Sequence, residues 1–246
     1  MQSRDLFQAT KMQLVGDVAK ACAFVSYCGP FNAAFRSKLV ENYFGQDLVD
    51  RAIPLTPDLE MTNFLVDQAT VGTWSLQGLP SDDLSTQNGI MVTRSTRYPL
   101  MIDPQSQAVN WIKRKEPEIL ERDFIYTLGN PNLKDRLKIP LQDGCPVMIE
   151  NIENEVDPML DPLLEKQFIT KGRNKIIRIA DTEMDYDPKF RLYMTSRLGN
   201  PHFSPELAAK TTIINFTVTQ DGLEQQLLGR LISKEQKHLE DQLTQL

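Results

Sequence analysis

Apolar positions recur at helical intervals through the first third of the chain. Leu6, Met12, Val15, Ala19, Ala23 and Phe24 predict a helix over Leu6 to Val25, which Gly29-Pro30 stops. A second helix is predicted from Phe31 to Phe44, ending at Gly45, and a proline-marked loop from Ile53 to Pro57. Leu59 to Ala69 reads as a third helix with Thr56 or Asp58 as N-cap, Trp74 to Pro80 as a tight connection, and Ser85 as the opening of a helix through Ile90 and Val92.

From Arg97 the period changes. Tyr98 to Ile102 is a short apolar run, and Asp103-Pro104 leads into a helical pattern of Ala108, Trp111 and Ile112. The unit repeats, with a strand at Phe124 to Thr127, a helix at Pro131 to Leu141 and a strand at Pro146 to Ile149. Two more strands are predicted at Phe190 to Thr195 and Thr212 to Val218, with an edge hairpin over Phe168 to Asp181 broken at Gly172. Alternating strands and helices imply a three-layer α/β fold whose mostly parallel sheet is covered on both faces. After Gly222, Leu223, Leu227, Leu231, Leu239, Leu243 and Leu246 keep an apolar stripe to the end, so this helix is expected to need a partner in something larger.

Composition adds exclusions. The 246 residues are 41% hydrophobic and 24% charged, an ordinary globular balance, and the net charge of −6 has the wrong sign for a surface devoted to nucleic acid or anionic lipid. No run approaches the roughly 18 apolar residues needed to cross a bilayer, and no leader pattern follows Met1. Cys22, Cys28 and Cys145 lack CxxC spacing, and His202 and His238 do not build a zinc site, so buried reduced thiols in the cytoplasm are expected.

Candidate chemistry concentrates after the first parallel strand, where a nucleotide-binding α/β fold carries its phosphate loop. The pattern GxxxxGK[ST] falls on Asp103, Pro104, Gln105, Ser106, Gln107, Ala108, Val109 and Asn110, and every signature residue is replaced. Val109 stands where a lysine would reach the phosphates, Asn110 where a hydroxyl would hold magnesium, and Asp103 where the first glycine belongs. A carboxylate about 4 Å from a phosphate oxygen costs on the order of 4 kcal/mol at an effective dielectric near 20. The next strand runs into Glu150-Asn151, where an ATPase has Asp-Glu; Asn151 cannot be a general base.

Other features have bland readings. Trp74 and Trp111 are expected core anchors. Lys171, Arg173, Lys175 and Arg178 would keep a hairpin edge soluble, and Arg94 and Arg97 read as solvated surface. Asp82-Asp83 and Glu153 with Glu155 are loop charges, and two histidines so placed support no nucleophilic constellation.

The string Tyr98-Pro99-Leu100-Met101-Ile102-Asp103-Pro104-Gln105-Ser106-Gln107-Ala108, followed by Trp111-Ile112-Lys113, resembles the fifth AAA+ module of dynein heavy chains. Similar matches are Gly29-Pro30-Phe31, Gly78-Leu79-Pro80, Asn88-Gly89-Ile90, Asp157-Pro158 with Asp161-Pro162, Asn200-Pro201-His202-Phe203-Ser204-Pro205-Glu206 and Ile214-Asn215-Phe216-Thr217-Val218-Thr219. The resemblance covers nearly the whole chain, and Tyr98 with Asn110 to Lys115 is more similar to axonemal chains.

The resemblance implies an AAA+ large subdomain over 51–221, helices linking from the stalk over 1–50, and the start of a buttress coiled coil over 222–246. It implies a ring in which other modules carry ATP and magnesium while this one binds no cofactor and catalyses nothing. The implied partners are neighbouring AAA+ modules, the stalk through the buttress, and the microtubule through the whole motor, with no nucleic acid or membrane. The implied location is the cytoskeleton of the cytoplasm, in the axoneme of a cilium or flagellum. Asn200 matches the AAA+ sensor asparagine by position. The alternatives are a regulatory ATP-binding module, which the missing lysine and glutamate oppose, and a free-standing α/β scaffold.

Overall fold

The computed structural model describes residues 2–172 and 174–218, together with 222–224, 227, 228, 231, 232, 234 and 235. The chain opens with one long helix, α1 (Gln2–Tyr27), which ends before Gly29-Pro30 as expected. Helix α2 (Ala33–Ser37) is capped by Asn32, whose side chain accepts the Phe35 N–H. The helical path then continues as a π-helix over Lys38–Gly45 and as α3 (Gln46–Asp50), past the predicted stop at Gly45. Gly45 keeps ordinary right-handed helical backbone there. The path turns off instead at Ala52, with a φ of 56°, ahead of Ile53-Pro54.

The predicted third helix is two. Helix α4 (Met61–Leu65) stops at the extended β-branched Val66, and the Asp67 carboxylate caps the Thr70 N–H to start α5 (Gln68–Leu76). Trp74 therefore lies on a helix rather than in a tight connection. Neither expected cap serves α4, because Thr56 bonds Asp17 and Asp58 adopts a φ of 51°. Helix α6 (Asp83–Arg94) starts two residues before Ser85, and Asp82 caps it through the Ser85 N–H and Oγ, so this acid is a structural cap rather than a loop charge.

The alternating part follows in order: β1 (Pro99–Ile102), α7 (Gln107–Lys115), α8 (Glu118–Glu121), β2 (Ile125–Thr127), α9 (Leu133–Asp143), β3 (Pro146–Glu150) and α10 (Asp161–Leu164). Next come β4 (Phe168–Lys171), β5 (Asn174–Ile179), β6 (Thr182–Tyr186), β7 (Arg191–Ser196), α11 (Pro205–Lys210) and β8 (Thr212–Asn215). Five strands form one sheet in the order β2-β3-β7-β1-β8, every neighbouring pair parallel. Strand β8 is shorter than expected, because the Asn215 side chain turns the backbone by accepting the Thr217 N–H.

Strand alternation divides the core. Met101, Met148, Tyr193 and Ile214 face one layer with Phe24, Trp74, Trp111 and Ile112. Leu100, Val147, Ile149, Leu192 and Met194 face the other with Leu133, Leu137, Leu141 and Leu163. This is the three-layer α/β arrangement that the apolar pattern implied. Trp74 and Trp111 are buried as expected, their rings 5.8 Å apart edge to face.

The edge hairpin needs correction. Strands β4, β5 and β6 form a separate antiparallel sheet rather than an edge of the main one. Ile177, Ile179 and Met184 are buried in the second core layer, and β5 and β6 lie beside α10 and α9. The hairpin turns at Gly172, which has a positive φ of 67°. Lys171 and Arg178 pair with Glu183 and Asp181, while Arg173 lies outside the described residues. Cys22 is exposed, against the expected burial, whereas Cys28 and Cys145 are buried.

The described residues from Gly222 to Glu235 are helical, and Leu223, Leu227 and Leu231 are exposed at four-residue spacing. Leu239, Leu243 and Leu246, with His238, lie outside the described residues. No described helix is long and apolar enough to cross a membrane.

Candidate functional site

In a parallel α/β sheet, ligands bind beyond the carboxyl ends of the strands, and the loop leaving β1 for α7 lies there. Backbone N–H groups of the first helical turn point out of the helix without intrahelical partners, which makes the start of such a helix an anion site. Here that site is filled by the chain's own anion. Asp103 Oδ1 accepts the Gln107 N–H at 2.8 Å and Oδ2 accepts the Val109 N–H at 2.9 Å. The Asp103 N–H in turn donates to the Ser196 carbonyl at the end of β7 (2.8 Å). Asp103 is 1% exposed.

Charge and burial act against each other at this residue. Burial pushes the Asp103 carboxyl above its ordinary range, while the N–H groups of Val109, Gln107 and Ala108 and the Arg197 guanidinium pull it back. Ser106, with a φ of 59°, makes the left-handed turn into α7 without a glycine. Val109 and Ala108 pack into the first core layer, so the position of the phosphate-binding lysine carries a buried hydrocarbon. Gln105 and Asn110 are exposed, and Pro104 is half-buried. The cleft between Ser85, Asn88, Gln107, Phe216 and Gly222 holds only about 10 Å³, on the order of one water molecule.

The second acid is also neutralised internally. Glu150 Oε1 lies 2.8 Å from Lys113 Nζ, an ion pair from β3 to α7 with both side chains largely covered. Asn151 follows with a φ of 59° and an exposed side chain. Asn200 is exposed in the loop four residues beyond β7, where the neighbouring His202 N–H donates to Asn154. The residues that meet Asp103 at the end of β7 are Ser196 and Arg197.

These residues do not fit a magnesium triphosphate. The anion would have to displace the Asp103 carboxylate from its N–H donors, with no lysine at 109 to offset the repulsion and with Glu150 already paired. Among the described residues no group of His, Cys, Asp and Glu is arranged to hold a metal ion.

Sequence reasoning located Asp103 and Glu150 but not their partners. Lys113 stood in a basic run with nothing to mark it as the one facing β3, and Arg197 carries no motif. Buried Arg36 was missed as well: it bonds the Phe31 and Gly29 carbonyls and the Asn88 side chain, and burial lowers its pKa to about 10.

Residues 72–246 match the family model described as the ATP-binding dynein motor region. Over its full length the chain is 51% identical to the dynein gamma chain of the flagellar outer arm of Chlamydomonas reinhardtii. It is 46% identical, again over its full length, to human dynein axonemal heavy chain 8. Over 94% of its length it is 44% identical to the Chlamydomonas reinhardtii dynein beta chain of the flagellar outer arm. It spans about 5% of the length of each of these curated relatives. With a parallel three-layer sheet, a phosphate-loop position after its first strand, and that match across most of its residues, the chain belongs to the dynein heavy-chain motor family.

Proposed function

We propose that this segment is a non-hydrolysing AAA+ module of a dynein motor, working as a mechanical block in the ring. The observation that supports it is the Asp103 carboxylate in the α7 N–H groups, an internal substitute for the phosphate that an active module would bind there. ATP and magnesium then act at other modules of the same heavy chain. This block moves with its neighbours, and the helix beginning at Gly222 is the start of a buttress that passes the movement to the stalk and so changes microtubule affinity. Residues 1–50 form the helices arriving from the stalk, and 51–221 the large subdomain. The names of the relatives point to the axoneme of a cilium or flagellum as the site of action.

The test is photoaffinity labelling of the whole heavy chain with an azido-ATP, followed by peptide mapping. Label is expected on other modules and absent from 98–115. Saturable label on that stretch, competed by ATP, would overturn the reading.

A further inference from the structure

Among the described side chains of α1, Gly16, Asp17, Lys20, Ala21 and Phe24 are buried and form one stripe against the rest of the chain. The contacts along it are unusually directional. A Cβ on Gly16 would lie 2.2 Å from the Pro54 carbonyl oxygen, so the Pro54-Leu55 backbone sits in a notch that only glycine leaves open. The Asp17 carboxylate accepts both the N–H and the Oγ–H of Thr56, each at 2.7 Å. Lys20 Nζ donates to Glu41 Oε2 at 2.7 Å, and Asp17 and Lys20 are both buried.

A second fixing point lies thirteen residues on. A Cβ on Gly29 would lie 2.1 Å from the Ile213 carbonyl oxygen. The Gly29 carbonyl accepts the Asn215 N–H and Arg36 Nη2, each at 2.9 Å. Arg36, 1% exposed, also donates to Asn88 Oδ1 at 2.6 Å, and Asn88 Nδ2 donates to the Asn215 carbonyl at 2.9 Å.

An apolar stripe by itself tolerates sliding, because residues three or four apart are interchangeable on it. This one does not. A slide of four residues would bring Met12 or Lys20 into the Gly16 notch, Gln13 or Ala21 to the place of Asp17, and Gly16 or Phe24 to the place of Lys20. Thr56 and Glu41 would lose their partners, and a side chain would enter the space of the Pro54 carbonyl. Buried polar pairs act most clearly where alternative registers would leave them unmatched.

We infer that α1 is held in a single axial register against the body of the protein. The two fixing points are Gly16, Asp17 and Lys20 at one end and Gly29 with Arg36 at the other. Gly16 lies about 16 Å along the axis from Tyr27, the last helical residue, at about 1.5 Å per residue, and Gly29 follows two residues later in the turn. Asp17, Lys20 and Arg36 are positioning residues for this helix, and Arg36 ties its end to the sheet edge at β8 and to α6. The inference concerns where α1 sits and does not depend on the relay proposed above.

The test is pulsed EPR on the heavy chain carrying spin-labelled unnatural amino acids at Met12 and Leu76, both exposed. The parent should give one narrow distance distribution. Replacing Gly16→Leu together with Asp17→Ala puts a side chain into the space of the Pro54 carbonyl and releases Thr56, and should replace the single parental distance by a displaced or broadened distribution. A double variant that keeps the single parental distance overturns the inference. If that variant fails to fold, hydrogen exchange on the parent decides: the Thr56 and Asn215 amides should exchange as slowly as those of β1, and exchange of the Thr56 amide at the rate of an unprotected loop overturns it.

Discussion

The Asp103 carboxylate holds the Val109 amide at 2.9 Å, so the residue at the phosphate-loop lysine position is bonded through its backbone to the acid at the first-glycine position. Supplying a lysine at 109 therefore cannot create an anion site while the aspartate remains. Isothermal titration of the 246-residue polypeptide with Mg-ATP should show no binding in the micromolar range, and Val109→Lys should leave that unchanged. Micromolar affinity in either protein would contradict the account. Asp103→Ala should lower stability by about 3 kcal/mol, because hydrogen bonds to a charged group are worth roughly 1.5 to 3 kcal/mol each and their donors would be left buried.

Trp111 is 0% exposed, packed edge to face on Trp74 and near Phe216. Trp111→Ala should cost about 3 to 5 kcal/mol in chemical denaturation, with a cavity between α7, α5 and the sheet as the cause. A loss below about 1 kcal/mol would mean that the site collapses without penalty or that α7 covers the sheet differently.

Alkaline stability should depend on Cys28. This thiol is 0% exposed, and burial pushes its pKa from 9.0 to about 11, with the Arg36 guanidinium pulling the other way. The unfolded chain releases the proton near pH 9 and the folded chain near 11. The thiol's contribution is thus complete below pH 9 and lost as pH rises through 11, on the order of 2 kcal/mol in all. Arg36 works with the opposite sign. Burial lowers its folded pKa to about 10, below the ordinary guanidinium range, so its contribution grows only above pH 10. Between pH 9 and 10 the Tm of the parent should therefore fall more steeply than that of Cys28→Ala. Parallel slopes in that window would show that the thiol is not the group responsible.

The C-terminal helix offers a separable effect. Leu227 and Leu231 are each 57% exposed and lie four residues apart, so Leu227→Glu with Leu231→Glu should change the stability of the 246-residue polypeptide by no more than about 0.5 kcal/mol per site. In the whole motor the same pair should spare basal ATPase while uncoupling it from microtubule affinity, measured by co-sedimentation with and without nucleotide. A double variant that releases and rebinds microtubules in step with ATP as the parent does would reduce this helix to a spacer.

Strands were legible because apolar runs such as Leu100 to Ile102 and Val147 to Ile149, set between turn residues, are buried on both faces of a parallel sheet wherever they pair. Trp111 was legible as core for the same reason: large apolar area has one favourable destination whatever the topology. The replacement of the phosphate-loop signature residues was legible because it depends on residue type at fixed spacing. Local competition was harder to read. Val66 and Asp67 divide a helix that the apolar period joined, and Gly45 fails to stop one, because capping and backbone preference differ by only about 1 kcal/mol and packing decides between them. What only the tertiary structure decided was the pairing of polar groups. Asp17 finds Thr56 39 residues away, Arg36 finds Asn88 52 residues away, and Asn88 finds the Asn215 carbonyl 127 residues away. A charged side chain carries no mark of its partner in the sequence, and its burial becomes favourable only when the folded backbone brings a matched acceptor within hydrogen-bonding distance.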